Sequence, residues 1–335
     1  TGSGLLGTSH RKSRVKDQVA RLRAGMHDLF GLPDDYEVVL APGGATAFWE
    51  MAAFGLVEHR ARHYVFGEFS SKFAKATAAA PFLDAPDVVE APVGTRPVPG
   101  PASGVDVQAL THNETSTGVM MDVVRADDTL VLVDATSGAG GLPVDPADFD
   151  AYYFSLQKGF ASEGGLAVAL LSPAAVERIE KLAASDRYVP TFLSLATALE
   201  NSRKEQTYNT PAIATVFLAA ETVDWMNHGG GLDAMVELGR AKAAHLYGWA
   251  EDRAWASPFV ADPLARSLVV GTVDLDEAVS ADDVNAALRA NGVLDTDAYR
   301  KLGRNQLRVG MFPAVDLADV EAYTACVDHV VEQLG

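Results

Sequence analysis

Residues 130–159 read LVLVDATSGAGGLPVDPADFDAYYFSLQKG, two apolar runs that each lead into a polar residue. The first is leucine- and valine-rich and stops at Asp134, with the small residues Ala135, Thr136 and Ser137 after it; the second is aromatic and stops at Lys158. Short runs of this composition, bounded by small and turn residues, predict buried strands. Asp134 then sits at the C-terminal edge of one strand and Lys158 in the turn after the other. Directly downstream, GLAVALL (165–171) predicts a third buried strand, closed by Ser172-Pro173, an N-cap with proline at the first helical position.

Upstream, a helix is predicted over 15–29, ending at Gly31. A strand over 36–40 then runs into Pro42-Gly43-Gly44-Ala45-Thr46 and the apolar helix FWEMAAFGLV (48–57). Further strands are predicted over 63–66, 88–90 and 105–109; residues 91–104, with prolines at 92, 97, 99 and 101, form a loop. Downstream, Thr210-Pro211 predicts another N-cap with proline, opening a long helix that stops at glycines 229–231. Strands alternating with helices predict an α/β fold, a mainly parallel sheet with helices on both faces. From about Ser257 the pattern becomes the strand SLVVGTVDL (267–275), a helix from Ser280 with Asp283 as a weak capping box, the strand QLRVGMF (306–312) and a closing helix. The expected division is a large domain, 1–255, and a small α+β C-terminal domain, 256–335.

The chain has 335 residues, 48% hydrophobic and 21% charged, a composition that supports a sizeable core and argues against disorder, collagen or coiled coil. Lys and Arg number 27 against 45 Asp and Glu, a net charge of −18 whose field repels phosphate backbones and anionic lipid. Neither nucleic acid nor a membrane is an expected partner. Cys326 is the only cysteine, which excludes an internal disulfide and a cysteine-based metal site and suits a cytoplasmic setting. With Ala322, Val330 and Leu334 on a related helical face, it is expected to pack inward. The histidines show no HExxH or other metal pattern, so no metal is expected. The start TGSGLLGTSHRKSRVK lacks the apolar stretch and cleavage site of a secretory signal, and it lacks Met, as a trimmed N-terminus would.

Lys158 is a single lysine in an apolar strand-to-turn setting, where a lowered amine pKa makes a nucleophile. Asp134, one crossover earlier, is placed to hold a protonated heterocyclic nitrogen, and the pair suggests pyridoxal phosphate. Read one at a time, each has a plainer account: Lys158 suits a lysine snorkelling to solvent, Asp134 a helix N-cap. Gly43 to Thr46 lies between a strand and a helix, where backbone N–H groups and the helix dipole receive a phosphate, although a tight βα turn needs the same residues. Two basic clusters stand out: His10-Arg11-Lys12 with Arg14 and Lys16, and Arg300-Lys301 with Arg304 and Arg308. Guanidinium forks pair bidentately with carboxylate and phosphate, so small anionic substrates are implied, against a solvated basic face as the plainer account.

Taken together, GTSHR (7–11), GGATAFW (43–49), GEFSSKFA (67–74), HNETSTG (112–118), DATSGAGG (134–141), FSLQKG (154–159), NTPA (209–212) and YRKLGRNQLRVGMFPA (299–314) resemble the phosphoserine aminotransferase family, along nearly the whole chain. That family is a class V, fold-type I branch of the pyridoxal phosphate enzymes. The resemblance implies a homodimer with a large cofactor domain and a small C-terminal one. It places the Schiff-base lysine at Lys158 and the pyridinium partner at Asp134. The phosphate loop falls at Gly44, Ala45 and Thr46, the ring-stacking aromatic at Phe69, the ring-side threonine at Thr115 and a phosphate contact at Gln157. Asn209 and Thr210 would reach the neighbouring active site. His10, Arg11, Arg300, Lys301 and Arg308 would bind substrate. Departures from the family are Phe69 where many members have tryptophan, Ala45-Thr46 where many have an arginine, and Tyr299-Arg300-Lys301 for a His-Arg pair. Family members also carry an N-terminal extension before the point where this chain begins.

The implied activity is a ping-pong transamination between glutamate/2-oxoglutarate and 3-phosphohydroxypyruvate/O-phospho-L-serine in serine biosynthesis, with vitamin B6 synthesis a second role known in the family. The alternatives are another class V enzyme, such as an alanine–glyoxylate transaminase or a cysteine desulfurase, or a non-catalytic protein that senses phosphorylated metabolites.

Overall fold

The structure, a computed structural model, describes residues 4–334; Thr1, Gly2 and Ser3 of the opening stretch and Gly335, the last residue of the expected small domain, lie outside the described residues. In chain order the elements are α1 (Ser13–Leu29), β1 (Glu37–Pro42), α2 (Ala45–Gly55), β2 (Ala61–Val65), α3 (Glu68–Ala78), β3 (Asp87–Glu90) and β4 (Val107–Thr111). A short hairpin, β5 (Asn113–Glu114) and β6 (Val119–Met120), leads to β7 (Leu130–Asp134), β8 (Ala151–Ser155) and β9 (Leu166–Leu171). Then come α4 (Pro173–Ala183), α5 (Leu195–Ser202), α6 (Ile213–His228), α7 (Gly231–Glu251), β10 (Ala256–Pro258), β11 (Val270–Leu275), α8 (Ala281–Ala290), β12 (Gln306–Gly310) and α9 (Leu317–Leu334).

Seven strands form one sheet in the order β1-β9-β8-β7-β4-β2-β3. Neighbours from β8 to β3 pair in parallel, while β9 runs antiparallel to both β8 and β1. The apolar runs are continuous because both faces are covered. Val131, Val133, Tyr152, Phe154, Val168 and Leu170 point to the face packed by α1, α6 and α7. Leu130, Leu132, Tyr153, Ala167 and Ala169, the alternate positions, point to the face packed by α2, α4 and α5. A second sheet, β10-β11-β12, is antiparallel and carries the C-terminal strands, and α7 packs against both β10 and α9.

The sheet leaves its functional groups on one edge. β4, β7 and β8 are parallel, so their C-terminal ends lie together, and from those ends run the segments bearing Thr115, Asp134 and Lys158. In open α/β sheets ligands bind outside this end of the strands.

Three local expectations are corrected. The aromatic strand ends at Ser155 rather than reaching Lys158; the Ser155 hydroxyl turns to accept the Ala45 N–H at 2.6 Å. The helix expected to open at Thr210-Pro211 opens at Ile213, because the Thr210 hydroxyl meets His10 Nδ1 at 3.1 Å rather than a backbone N–H of its own helix. Cys326 is exposed, since α9 buries Val320, Tyr323, Thr324 and Val327 instead. The Ser172 cap stands as expected, its hydroxyl accepting from Ala175 N–H.

Candidate active site

Lys158 sits three residues past the end of β8, in a turn that presses against the loop after β7. Gly159 permits this approach, for a Cβ there would lie 2.2 Å from the Ala139 carbonyl oxygen. The Lys158 amine lines a cavity of about 500 Å³ with Thr115, Arg308 and the apolar Val270 and Phe312. Burial, and then the Arg308 guanidinium, hold its pKa below the ordinary lysine value. Both effects disfavour the charged form and so favour the nucleophilic neutral amine. Arg308 comes from β12, across the second sheet. Its guanidinium lies 5.6 Å from the Tyr299 ring centroid and reaches the Thr115 carbonyl at 3.5 Å.

Asp134 is 2% exposed at the end of β7. Its Oδ2 accepts from the Trp49 indole N–H at 2.8 Å, and its Oδ1 from the Thr136 N–H at 3.0 Å and the Thr136 hydroxyl at 2.5 Å. Residues after it form a turn, not a helix, so it is no N-cap. Burial pushes its pKa up; the Thr136 and Trp49 donors offset part of this, and the buried Glu114 carboxylate adds to it. A buried acid with neutral donors and no ion pair among the described residues lacks a cation, and a protonated ring nitrogen supplies one. The residues therefore fit pyridoxal phosphate.

At the start of α2 the glycine turn is partly committed within the chain. Gly43 (φ +111°) gives its N–H to the Gly165 carbonyl, Ala45 gives its N–H to Ser155, and Ala47 and Phe48 bond back to the Gly44 carbonyl. Thr46 keeps an exposed side chain and a backbone N–H with no acceptor among the described residues, at the positive end of the helix dipole. Gln157, next to Lys158, is exposed. Phe69 is the second residue of α3, its ring 5.9 Å from that of Tyr299. The Thr115 hydroxyl lies 2.6 Å from the Ser137 hydroxyl, which also accepts from Asn113 Nδ2.

The basic residues fall into separate groups. Arg308 joins Lys158, whereas Arg300 is exposed in an adjoining groove of about 790 Å³ that Arg308 and Tyr299 also line. The Lys301 ammonium pairs with Glu68, and Arg304 is spent on Asp274. His10 and Thr210 meet one another, with Arg11 and Asn209 exposed nearby in sequence, and none of these four lines the Lys158 cavity of its own chain. The sequence reading missed Trp49, Ser137, Ser155 and Glu114. Trp49 was in view inside GGATAFW, one turn beyond the glycines, but nothing in the local pattern says that its indole meets an acid 85 residues away.

An α/β sheet that presents a desolvated lysine and a buried carboxylate on its C-terminal edge defines the pyridoxal phosphate class of fold-type I enzymes. Residues 102–294 match the family model described as aminotransferase class-V. A protein of Nocardioides sp. named phosphoserine aminotransferase is 58% identical over 339 residues, covering 100% of this chain and 91% of that one. The phosphoserine aminotransferase of Corynebacterium glutamicum is 56% identical over 333 residues, covering 98% and 89%. Among solved structures, a phosphoserine aminotransferase from Cytophaga hutchinsonii has a TM-score of 0.90 at 26% identity, covering 97% of this chain and 91% of that one. The chain belongs to the phosphoserine aminotransferase family of class-V, pyridoxal phosphate-dependent aminotransferases.

Proposed function

We propose that the protein transfers the amino group of glutamate to 3-phosphohydroxypyruvate, giving 2-oxoglutarate and O-phospho-L-serine. The observation that carries this reading is the shared cavity of Lys158 and Arg308, an amine for chemistry beside a guanidinium for an anionic substrate. When bound, pyridoxal phosphate supplies an electron sink that makes the substrate Cα–H acidic. Lys158 would hold the cofactor and, once released, take the Cα proton on Nζ and return it, a task its lowered pKa suits. Asp134, oriented by Trp49 and Thr136, would keep the ring nitrogen protonated.

Phe69 would stack on the ring and Thr115 would flank it. The loop of Gly44, Ala45 and Thr46 would receive the phosphate chiefly through the free Thr46 N–H, with Gln157 beside it. Arg308 would take the substrate carboxylate, and Arg300 and Lys301 the substrate phosphate.

A homodimer accounts for the remaining residues. Asn209, Thr210, His10 and Arg11, which do not line the Lys158 cavity of their own chain, would reach the neighbouring subunit's site. Supporting this, α6, which follows Thr210, turns Phe217, Leu218 and Trp225 outward, the last 46% exposed. The division into domains 1–255 and 256–335 is supported by the start of the second sheet at Ala256. No helix among the described residues is long and apolar enough to cross a membrane; the charge of −18 and the lone cysteine support a cytoplasmic enzyme that works on small anions and not on nucleic acid. The test is a coupled assay of glutamate-dependent phosphoserine formation, with and without added cofactor, against pyruvate and glyoxylate as acceptors. Preference for either small acceptor would overturn the assignment.

A further inference from the structure

We propose that Glu114 is a positioning residue that fixes Phe69 for stacking on the cofactor; this rests on the reading of Phe69 given above. Glu114 is 0% exposed. Its Oε2 accepts from the backbone N–H groups of Phe69 at 3.1 Å and Ser70 at 2.9 Å and from the Ser70 hydroxyl at 2.9 Å. Its Oε1 accepts from the Ser116 N–H at 3.2 Å and the Ser116 hydroxyl at 2.7 Å. The Ser116 hydroxyl oxygen in turn accepts from the Glu68 N–H at 3.1 Å.

A helix start leaves N–H groups without partners, and an N-cap side chain usually takes them. The N-cap of α3 is Gly67, which has no side chain. Glu114 supplies the missing acceptor from a strand more than forty residues away, with its negative charge at the positive end of the helix dipole. Gly67 makes the approach possible, because a Cβ there would lie 2.3 Å from Glu114 Cγ and 2.4 Å from Cδ. The bonded N–H of Phe69 is one bond from the Cα that carries its ring, so the clamp fixes the backbone from which the ring projects. The same segment carries Thr115, which lines the Lys158 cavity. Glu114 thus ties the helix bearing the stacking ring to the hairpin bearing the ring-side threonine. It touches no reacting atom on its own account.

The test is a double-mutant cycle on cofactor affinity, read by equilibrium dialysis of pyridoxal phosphate against the full-length apoprotein. Phe69→Ala is expected to weaken binding about tenfold through the lost stacking ring. Glu114→Gln, which sets an amide N–H2 against N–H donors, is expected to weaken it about tenfold in the parent and less than about twofold in the Phe69→Ala background. An equal loss in both backgrounds, or no loss in the parent, overturns the role of Glu114 while leaving the site reading intact. No loss on Phe69→Ala alone instead overturns the stacking role of Phe69, and the proposal with it. Should Glu114→Gln not yield folded protein, Glu114→Asp, which withdraws the carboxylate by one methylene, passes through the same cycle with the same outcomes.

Discussion

The indole N–H of Trp49 donates to Asp134 Oδ2 at 2.8 Å, joining the first helix after the glycine turn to the acid at the end of β7. The other carboxylate oxygen is held by Thr136, so each oxygen has its own donor. Trp49 also stacks on Phe73 with ring centroids 6.2 Å apart, so phenylalanine, which keeps an aromatic ring against Phe73, is the conservative replacement. Trp49→Phe removes one donor from a buried carboxylate, raises the Asp134 pKa further and is expected to weaken pyridoxal phosphate binding about tenfold. Equilibrium dialysis measures this; an unchanged dissociation constant would show that the bond does not tune Asp134.

Cofactor uptake carries a pH signature. The reactive form of Lys158 is the neutral amine, so the uptake rate of the apoenzyme rises with pH through the Lys158 pKa, which lies below that of an ordinary lysine. Arg308 contributes to that depression, because one positive charge disfavours another beside it. Arg308→Gln therefore moves the midpoint of the pH–rate profile upward. A stopped-flow series that finds the midpoint unmoved, or lower, contradicts the pairing.

Asp106 is a structural counterpart. Burial pushes its pKa up, but the N–H groups of Arg60, Glu58 and His59 and the Arg178 guanidinium outweigh it, so the net shift is downward. A depressed folded pKa contributes stability that is present above the unfolded value, about 4, and is lost as pH falls through the folded one. Asp106→Ala is expected to cost about 2–3 kcal/mol at pH 7. Urea unfolding should show the gap to the parent protein narrowing in acid; a gap independent of pH would refute the assignment.

Arg300 tests substrate choice. It lies exposed in the groove that adjoins the Lys158 cavity through Arg308. Arg300→Gln should raise KM for phosphohydroxypyruvate about tenfold, leaving KM for glutamate nearly unchanged, since only the former carries a phosphate. Equal effects on both would assign Arg300 to the carboxylate instead.

The parts legible in the sequence are those with local causes. Leu130–Asp134 was bounded correctly because a run buried on both faces ends where a carboxylate and small residues begin. The same property hid the direction of β9, since a doubly buried strand has one appearance whether it runs parallel or antiparallel. Lys158 and Asp134 stood out because each ends an apolar run. The bonds that orient them, Trp49 to Asp134 and Ser155 to Ala45, join segments 85 and 110 residues apart and leave no mark in spacing. Thr210 misled for a related reason: its hydroxyl had two candidate partners, and the distant His10 took it.

The amine proposed to hold the cofactor is that of Lys158. Borohydride reduction of the holoenzyme, followed by digestion and mass mapping, fixes the cofactor on whichever amine bears it. The peptide containing Lys158 is expected to carry the added mass, and Lys158→Ala protein none. A label on another lysine, or no label in holoenzyme that retains its cofactor, would contradict the central assignment.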